Sequence, residues 1–229
     1  MAEIIPTIIP KDVQDLEEKM SNVLGLAPIV QVDVLDGSLV PLRSWPYQSF
    51  SKRDAFFESI IAEREGFPFW EKLEFEAHLM VQAPERIISD WIAAGASRII
   101  IQIEGAEDFS RSLLAIADRV PVGVSFALDT PNEKFAPLAK DVAILQLMGW
   151  NFSHLGKQGE PFDERAIERV RQLRHEFPEH IVEVDGGVNL ENAPKLIAAG
   201  ADRLVVGSAL WKGGNVSANF AEFSSIIKG

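Results

Sequence analysis

Short β-branched runs recur along the chain and alternate with stretches whose apolar residues repeat every three to four positions. The first pattern is that of buried strands and the second that of amphipathic helices, so repeated βα units around a parallel sheet are expected. Strands are predicted at residues 4–9, 29–34, 73–80, 98–103, 122–126, 142–148, 181–184 and 204–206, each followed by helix-compatible sequence. Pro84, Asn189 and the pair Thr130-Pro131 stand ahead of apolar periodicity, as N-caps and first-turn prolines do. Gly95 and Gly200 close two similar phrases, IAAGASRIIIQ and IAAGADRLVVG, where a glycine takes the left-handed position that ends a helix before the next strand. Eight units of about 25–30 residues fill the 229-residue chain without a Ser/Gly-rich linker, which predicts an α/β fold with a single (β/α)8 TIM barrel domain over 1–229. The alternative is a doubly wound open sheet. The strand count and the missing G-x-G-x-x-G turn after the first strand argue against it.

Composition narrows the chemistry. With 47% hydrophobic and 24% charged residues the chain can bury one sizeable core. No run approaches the ~20 apolar residues of a membrane span, and the first residues lack a basic stretch followed by an apolar segment, so a cytoplasmic protein without membrane contact is expected. There is no cysteine, hence no disulfide and no thiolate ligand or nucleophile; a metal would be held by His, carboxylate or amide oxygen. Lys and Arg number 22 against 34 acids, a formal charge of −12 with no basic run, which argues against nucleic acid as a partner. The same charge repels a phosphorylated metabolite at long range. A phosphate site would have to be local, built from backbone N–H groups and glycines at strand ends.

In a (β/α)8 barrel the C-terminal ends of the strands carry the site. The second strand closes Gln31-Val32-Asp33-Val34-Leu35-Asp36-Gly37, and period-two alternation puts Gln31, Asp33 and Leu35 on one face. Asp33 either points into the barrel or faces outward to cap the following loop. His78, in Glu76-Ala77-His78-Leu79-Met80, is a metal ligand or acid/base, or else a structural hydrogen-bonding residue. Asp185 precedes Gly186 and Gly187, which suits an inward carboxylate beside a turn open to an anion; a turn alone also explains the glycines. Gly207 and Ser208 close the last strand. Together these fall after the seventh and eighth strands, where phosphate binds in this fold.

The segments PTIIP, VQVDVLDGSLVP, EAHLMV, VEVDGGV and VVGSALW resemble the ribulose-phosphate 3-epimerase family over nearly the whole chain. Family members carry a Ser in the first segment, His-x-Asp-x-Met-Asp-Gly in the second, His-Leu-Met in the third and Val-Asp-Gly-Gly in the seventh. Thr7, Asp33, Asp36, Gly37, His78, Met80, Asp185, Gly186 and Gly187 take those positions here. The resemblance implies a ribulose-phosphate-binding barrel that interconverts D-ribulose 5-phosphate and D-xylulose 5-phosphate through an enediolate. A proton alpha to a ketone leaves one face and another arrives on the opposite face, so two acid/base groups must flank the sugar. Asp33 and Asp185 match the family's pair. The resemblance further implies one divalent metal ion, Zn, Mn or Mg, held by Asp33, His78 and Asp185, and a homo-oligomer.

Departures from the family pattern cluster at the barrel mouth. Gln31 replaces the first metal histidine, and an amide oxygen is a weaker donor than imidazole, so zinc affinity is expected to fall or preference to move toward Mn²⁺ or Mg²⁺. Leu35 replaces the family's methionine in the second segment, and the fourth strand ends Gln102-Ile103-Glu104 where the family has His-x-Glu. The sixth βα loop, from Met148 to Phe162, keeps Gly156 and Gly159 but gains residues before them, including His154. Met80, Met148, Gly156 and Gly159 join Thr7 and the strand-end glycines as expected substrate and phosphate contacts. His154 contacts phosphate, replaces the lost ligand or is an exposed histidine without a role, and Trp45 and Trp150 either wall the pocket or only pack between loops. Residues 43–50 replace the family's usual Asn-containing phrase and carry no assigned role.

Three readings remain: an epimerase for ribulose 5-phosphate or a close ketose phosphate, a related sugar-phosphate decarboxylase, and a phosphosugar-binding paralogue that has lost turnover. The decarboxylases carry Asp-x-Lys-x-x-Asp on the second strand. This chain has Asp33-Val-Leu-Asp36 without the lysine. Two retained aspartates argue against a pure binder, which has no need of inward carboxylates near an anionic ligand.

Overall fold

The computed structural model describes residues 2–49, 52–157 and 159–228. Strands β1 (Glu3–Ile8), β2 (Ile29–Val34), β5 (Glu74–Leu79), β6 (Arg98–Gln102), β7 (Val122–Phe126), β8 (Ile144–Met148), β9 (Ile181–Asp185) and β10 (Arg203–Val206) close a barrel in the order β1-β10-β9-β8-β7-β6-β5-β2. Each matches an expected strand to within two residues at either end. The expectation missed the short antiparallel pair β3 (Tyr47–Ser49) and β4 (Lys52–Arg53), which lies in the 43–50 region and beyond it. Phe50 lies outside the described residues. The helices are α1 (Val13–Val23), α2 (Ala55–Ile61), α3 (Ile88–Ala93), α4 (Phe109–Ile116), α5 (Asn132–Phe135), α6 (Arg165–Glu176), α7 (Ala193–Ala199), α8 (Ser208–Trp211) and α9 (Val216–Lys228). No helix among the described residues is long and apolar enough to cross a membrane.

The chain divides into two compact units, Thr7–Gly123 and Met1–Pro6 with Val124–Gly229. In the first, Asp12 caps α1 by accepting from the Asp15 N–H, and Leu16, Met20 and Val23 bury the face set by helical spacing. Trp45 packs edge-on against Phe57 and Trp91 at 5.4 and 6.4 Å, and Phe67 stacks on Phe75 at 3.9 Å. These rings bury much of the apolar area between strand and helix layers. Pro84 opens a single 3-10 turn, Pro84–Arg86, and α3 starts only at Ile88, because Ile87 adopts a non-helical backbone between them.

In the second unit Phe126 of β7 stacks on Phe135 of α5 at 3.8 Å, which fixes the outward face of that strand. Gly200 ends α7 with φ 110°, and Gly95 stands after α3 with φ 99°, as the paired phrases require. Arg174 of α6 covers Gly200 and donates to its carbonyl at 3.1 Å, so the helix end is satisfied by a neighbouring helix. Asn189 does not begin α7. Its Oδ1 accepts from the Glu191 and Asn192 N–H groups in a turn, and the helix starts at Ala193.

Candidate active site

In the first unit a polar ladder runs along the ends of the strands. Thr7 of β1 is in register with Gln31 of β2, and Asp33 is in register with His78 of β5. Gln31, Asp33 and His78 are buried. Gln31 Nε2 donates to Asp33 Oδ1 at 2.8 Å and lies 3.4 Å from Thr7 Oγ1, so its amide turns nitrogen, not oxygen, toward the aspartate. His78 Nε2 meets Gln102 Oε1 at 3.0 Å. An amide oxygen only accepts, so Nε2 carries the proton, and Nδ1 faces the Gln31 Nε2 group and Asp33 Oδ1, each at 3.5 Å. Gln102 in turn donates to the Glu104 carboxylate, which fixes the direction of its amide.

Ser44 anchors this ladder from the loop after β2. Its hydroxyl donates to the Asp33 carbonyl at 2.8 Å and accepts from the Leu35 N–H at 3.0 Å, tying down the backbone on both sides of Val34. Asp36 accepts from the backbone N–H of Ser38 at 2.8 Å and so shapes the loop. Met80 follows β5, buried, with its N–H on the Val34 carbonyl at 3.0 Å.

In the second unit Met148 is in register with Asp185, and the Gly149 N–H donates to the Asp185 carbonyl at 2.6 Å. Asp185, the last residue of β9, is 6% exposed. Gly186 and Gly187 follow with φ 105° and 69°, a backbone that side chains resist. The space is as restrictive as the backbone: a Cβ on Gly149 would collide with the Gly186 carbonyl, and one on Gly187 would meet Phe162 at 2.9 Å. Gly207 and Ser208 follow β10, with Ser208 exposed at the start of α8. Gly156 and Gly159 have φ 75° and 79° in the sixth βα loop, where His154 is partly exposed and its Nε2 lies 3.7 Å from Glu160.

Asp33, His78 and Asp185, all buried, offer one ligand atom each within 4.8 Å of one another. Two carboxylate oxygens and one imidazole nitrogen suit a divalent cation, whose ligands stand about 2.0–2.2 Å from it. The fit therefore rests on three residues. Gln31, as placed, is a hydrogen-bond donor to one of them. The sequence pointed to all three but gave no role to Gln102, Glu104 or Ser44; a Gln-x-Glu at a strand end was the only visible signal for the first two.

The profile described as "Ribulose-phosphate 3 epimerase family" matches residues 3–211. A ribulose-phosphate 3-epimerase of Escherichia coli is 31% identical over 91% of this chain and 88% of its own, and one of Aquifex aeolicus is 29% identical over 99% and 97%. Among solved structures, 3-hexulose-6-phosphate synthase from Salmonella typhimurium superposes with a TM-score of 0.71 at 14% identity, covering 99% of this chain and 98% of that one. At that identity it speaks for the fold alone.

Proposed function

The chain belongs to the ribulose-phosphate 3-epimerase family, and from that premise we propose that it interconverts D-ribulose 5-phosphate and D-xylulose 5-phosphate, with Asp33 and Asp185 exchanging the C3 proton. It is an isomerase-class enzyme acting on carbohydrate phosphates. The observation that carries the assignment of residues is the buried group of Asp33, His78 and Asp185. One carboxylate removes the proton from C3 and the other delivers a proton to the opposite face, each acting as base in one direction and as acid in the other. Deprotonation leaves negative charge on two neighbouring oxygens. Asp33, His78 and Asp185 would hold a divalent cation, which when bound would supply an electrophile for this charge.

The chain's own residues do the rest. His78 is held by Gln102 with one nitrogen toward Asp33, and Gln31 holds the Asp33 carboxylate through an N–H. That hydrogen bond leaves fewer lone pairs for a metal and supports the reading of weaker zinc binding with a shift toward Mn²⁺ or Mg²⁺. Thr7, Met80 and Met148 border the sugar in this reading, and Gly156, Gly159, Gly186, Gly187, Gly207 and Ser208 serve the phosphate. It takes residues 1–229 as one catalytic domain, working as a cytoplasmic homo-oligomer.

The test is NMR of D-ribulose 5-phosphate in D₂O with chelator-treated protein, then with Zn²⁺, Mn²⁺ or Mg²⁺ restored. Deuterium at C3 with formation of D-xylulose 5-phosphate is expected, fastest with Mn²⁺ or Mg²⁺. No exchange under any condition, with the phosphosugar still bound, would turn the assignment to a binding protein that has lost turnover. Stoichiometric zinc retained through purification without added metal would overturn the reading of weak zinc binding.

A further inference from the structure

We propose that the indole N–H of Trp150 donates a hydrogen bond to the phosphate of the bound sugar, a contact particular to this chain's lengthened sixth loop. The inference rests on the reading of the Gly186-Gly187 turn as the phosphate cradle and adds to it a side chain. Trp150 is 8% exposed, and its Nε1 is buried with no hydrogen-bond partner in the protein. A buried donor without an acceptor is costly and uncommon, and at the rim of a binding site it marks the place where a ligand brings the acceptor.

The position of the ring says which ligand group that is. Indole carbons Cε2 and Cζ2 lie 2.8 and 2.9 Å from the point where a Cβ of Gly186 would be, so the part of the ring that carries Nε1 rests on the glycine turn. The backbone beneath the ring is pinned. The Trp150 carbonyl accepts from the Leu128 N–H at 3.0 Å, and the preceding residue donates to the Asp185 carbonyl at 2.6 Å. The indole can lie this close only because Gly186 lacks a side chain. Trp45 also has a buried Nε1 without a partner, but its ring is packed among Phe57, Phe67 and Trp91. Trp150 alone of the two borders a turn of consecutive left-handed glycines, whose backbone N–H groups suit an anion.

The contact is read directly from the indole ¹H–¹⁵N resonances of the protein, with the Trp150 signal assigned through its correlations to its own backbone in the unsubstituted chain. Inorganic phosphate and D-ribulose 5-phosphate are each expected to move that signal downfield, whereas unphosphorylated D-ribulose leaves it in place. In Trp150→Phe the KM for D-ribulose 5-phosphate and the inhibition constant of inorganic phosphate both rise about ten- to a hundredfold, the loss expected for one hydrogen bond to a charged group, with kcat unchanged. A Trp150 signal unmoved by phosphate overturns the inference, whether or not the variant folds. A signal moved by D-ribulose but not by phosphate overturns it too, by assigning the N–H to the sugar. Epimerisation with an unmoved signal removes this contact and leaves the activity standing. A phosphate-dependent shift without epimerisation does the opposite.

Discussion

Replacing Gln102 by Met isolates what the hydrogen bond to His78 contributes. The substitution keeps an unbranched side chain of similar volume and removes the acceptor that meets His78 Nε2 at 3.0 Å. Both residues are completely buried, so water has no ready access to replace that acceptor. Loss of an acceptor at such a site costs about 1–3 kcal/mol. For a chain of this length that lowers Tm by about 2–4 °C per kcal/mol. The second effect falls on the metal. Partners that orient a ligating histidine are worth about 10–100-fold in metal affinity, and His78 offers Nδ1 toward Asp33 only while Nε2 keeps its proton. The assay measures Mn²⁺ and Zn²⁺ affinity by competition with a chromophoric chelator, alongside thermal unfolding of the metal-free protein. A weaker-binding and less stable variant is expected, and Glu104→Gln, which leaves Gln102 but removes the carboxylate that orients its amide, should show a smaller loss in the same direction. Metal affinity unchanged within threefold, with Tm lowered, would refute the orienting role and leave Gln102 as packing.

Three further outcomes are expected. Asp185→Asn lowers kcat by about 10²–10⁴-fold, the contribution of a positioned acid/base, and leaves D-ribulose 5-phosphate binding by calorimetry within a few-fold; retained turnover removes Asp185 from proton transfer. Gly149→Ala forces its new methyl against the Gly186 carbonyl and costs about 1–3 kcal/mol. An unchanged midpoint in denaturant unfolding would contradict that close approach. Tyr47 is the chain's one tyrosine, and burial pushes its phenol well above the ordinary range. The folded state keeps the proton that the unfolded chain loses near pH ~10, so the stability from this group is full below pH ~10 and falls as pH rises further, by at most about 1.4 kcal/mol per pH unit. Tyrosinate absorbance should therefore appear together with unfolding. Its reversible appearance near pH 10 in folded protein would count against the burial.

The strands were legible because a parallel barrel buries both faces of each strand, leaving continuous β-branched runs such as residues 98–103, which end within a residue of β6. Gly95 and Gly200 were legible for a local reason, since each needs a left-handed backbone that its own sequence context announces. The pair β3 and β4 was not, because its residues carry no alternation and their partners are fixed by the loop they close. Asp33, His78 and Asp185 could be picked out by their place at strand ends. Their surroundings could not, because Gln102 and Ser44 reach them across strand and loop. Sequence spacing is blind to such lateral contacts: Ser44 is 11 residues from the carbonyl it holds, and Gln102 is 24 from His78.

The two glutamines at the barrel mouth make the most sense taken together. Gln31 turns its nitrogen to an acid, whereas Gln102 turns its oxygen to an imidazole, although the side chains are identical. What differs is the neighbour on the other side of each amide. Glu104 takes the Gln102 N–H, so the oxygen is left for His78, the His78 proton stays on Nε2, and Nδ1 faces Asp33. A partly buried carboxylate thus sets the polarity of a chain of hydrogen bonds that ends inside the barrel. Around the Gln31 nitrogen stand Asp33 Oδ1 at 2.8 Å, Thr7 Oγ1 at 3.4 Å and His78 Nδ1 at 3.5 Å, which turns its oxygen away from the aspartate. Replacing an imidazole by an amide at both positions therefore alters different things. At 31 the amide is a donor to Asp33, and at 102 it is an acceptor that holds the His78 proton on Nε2.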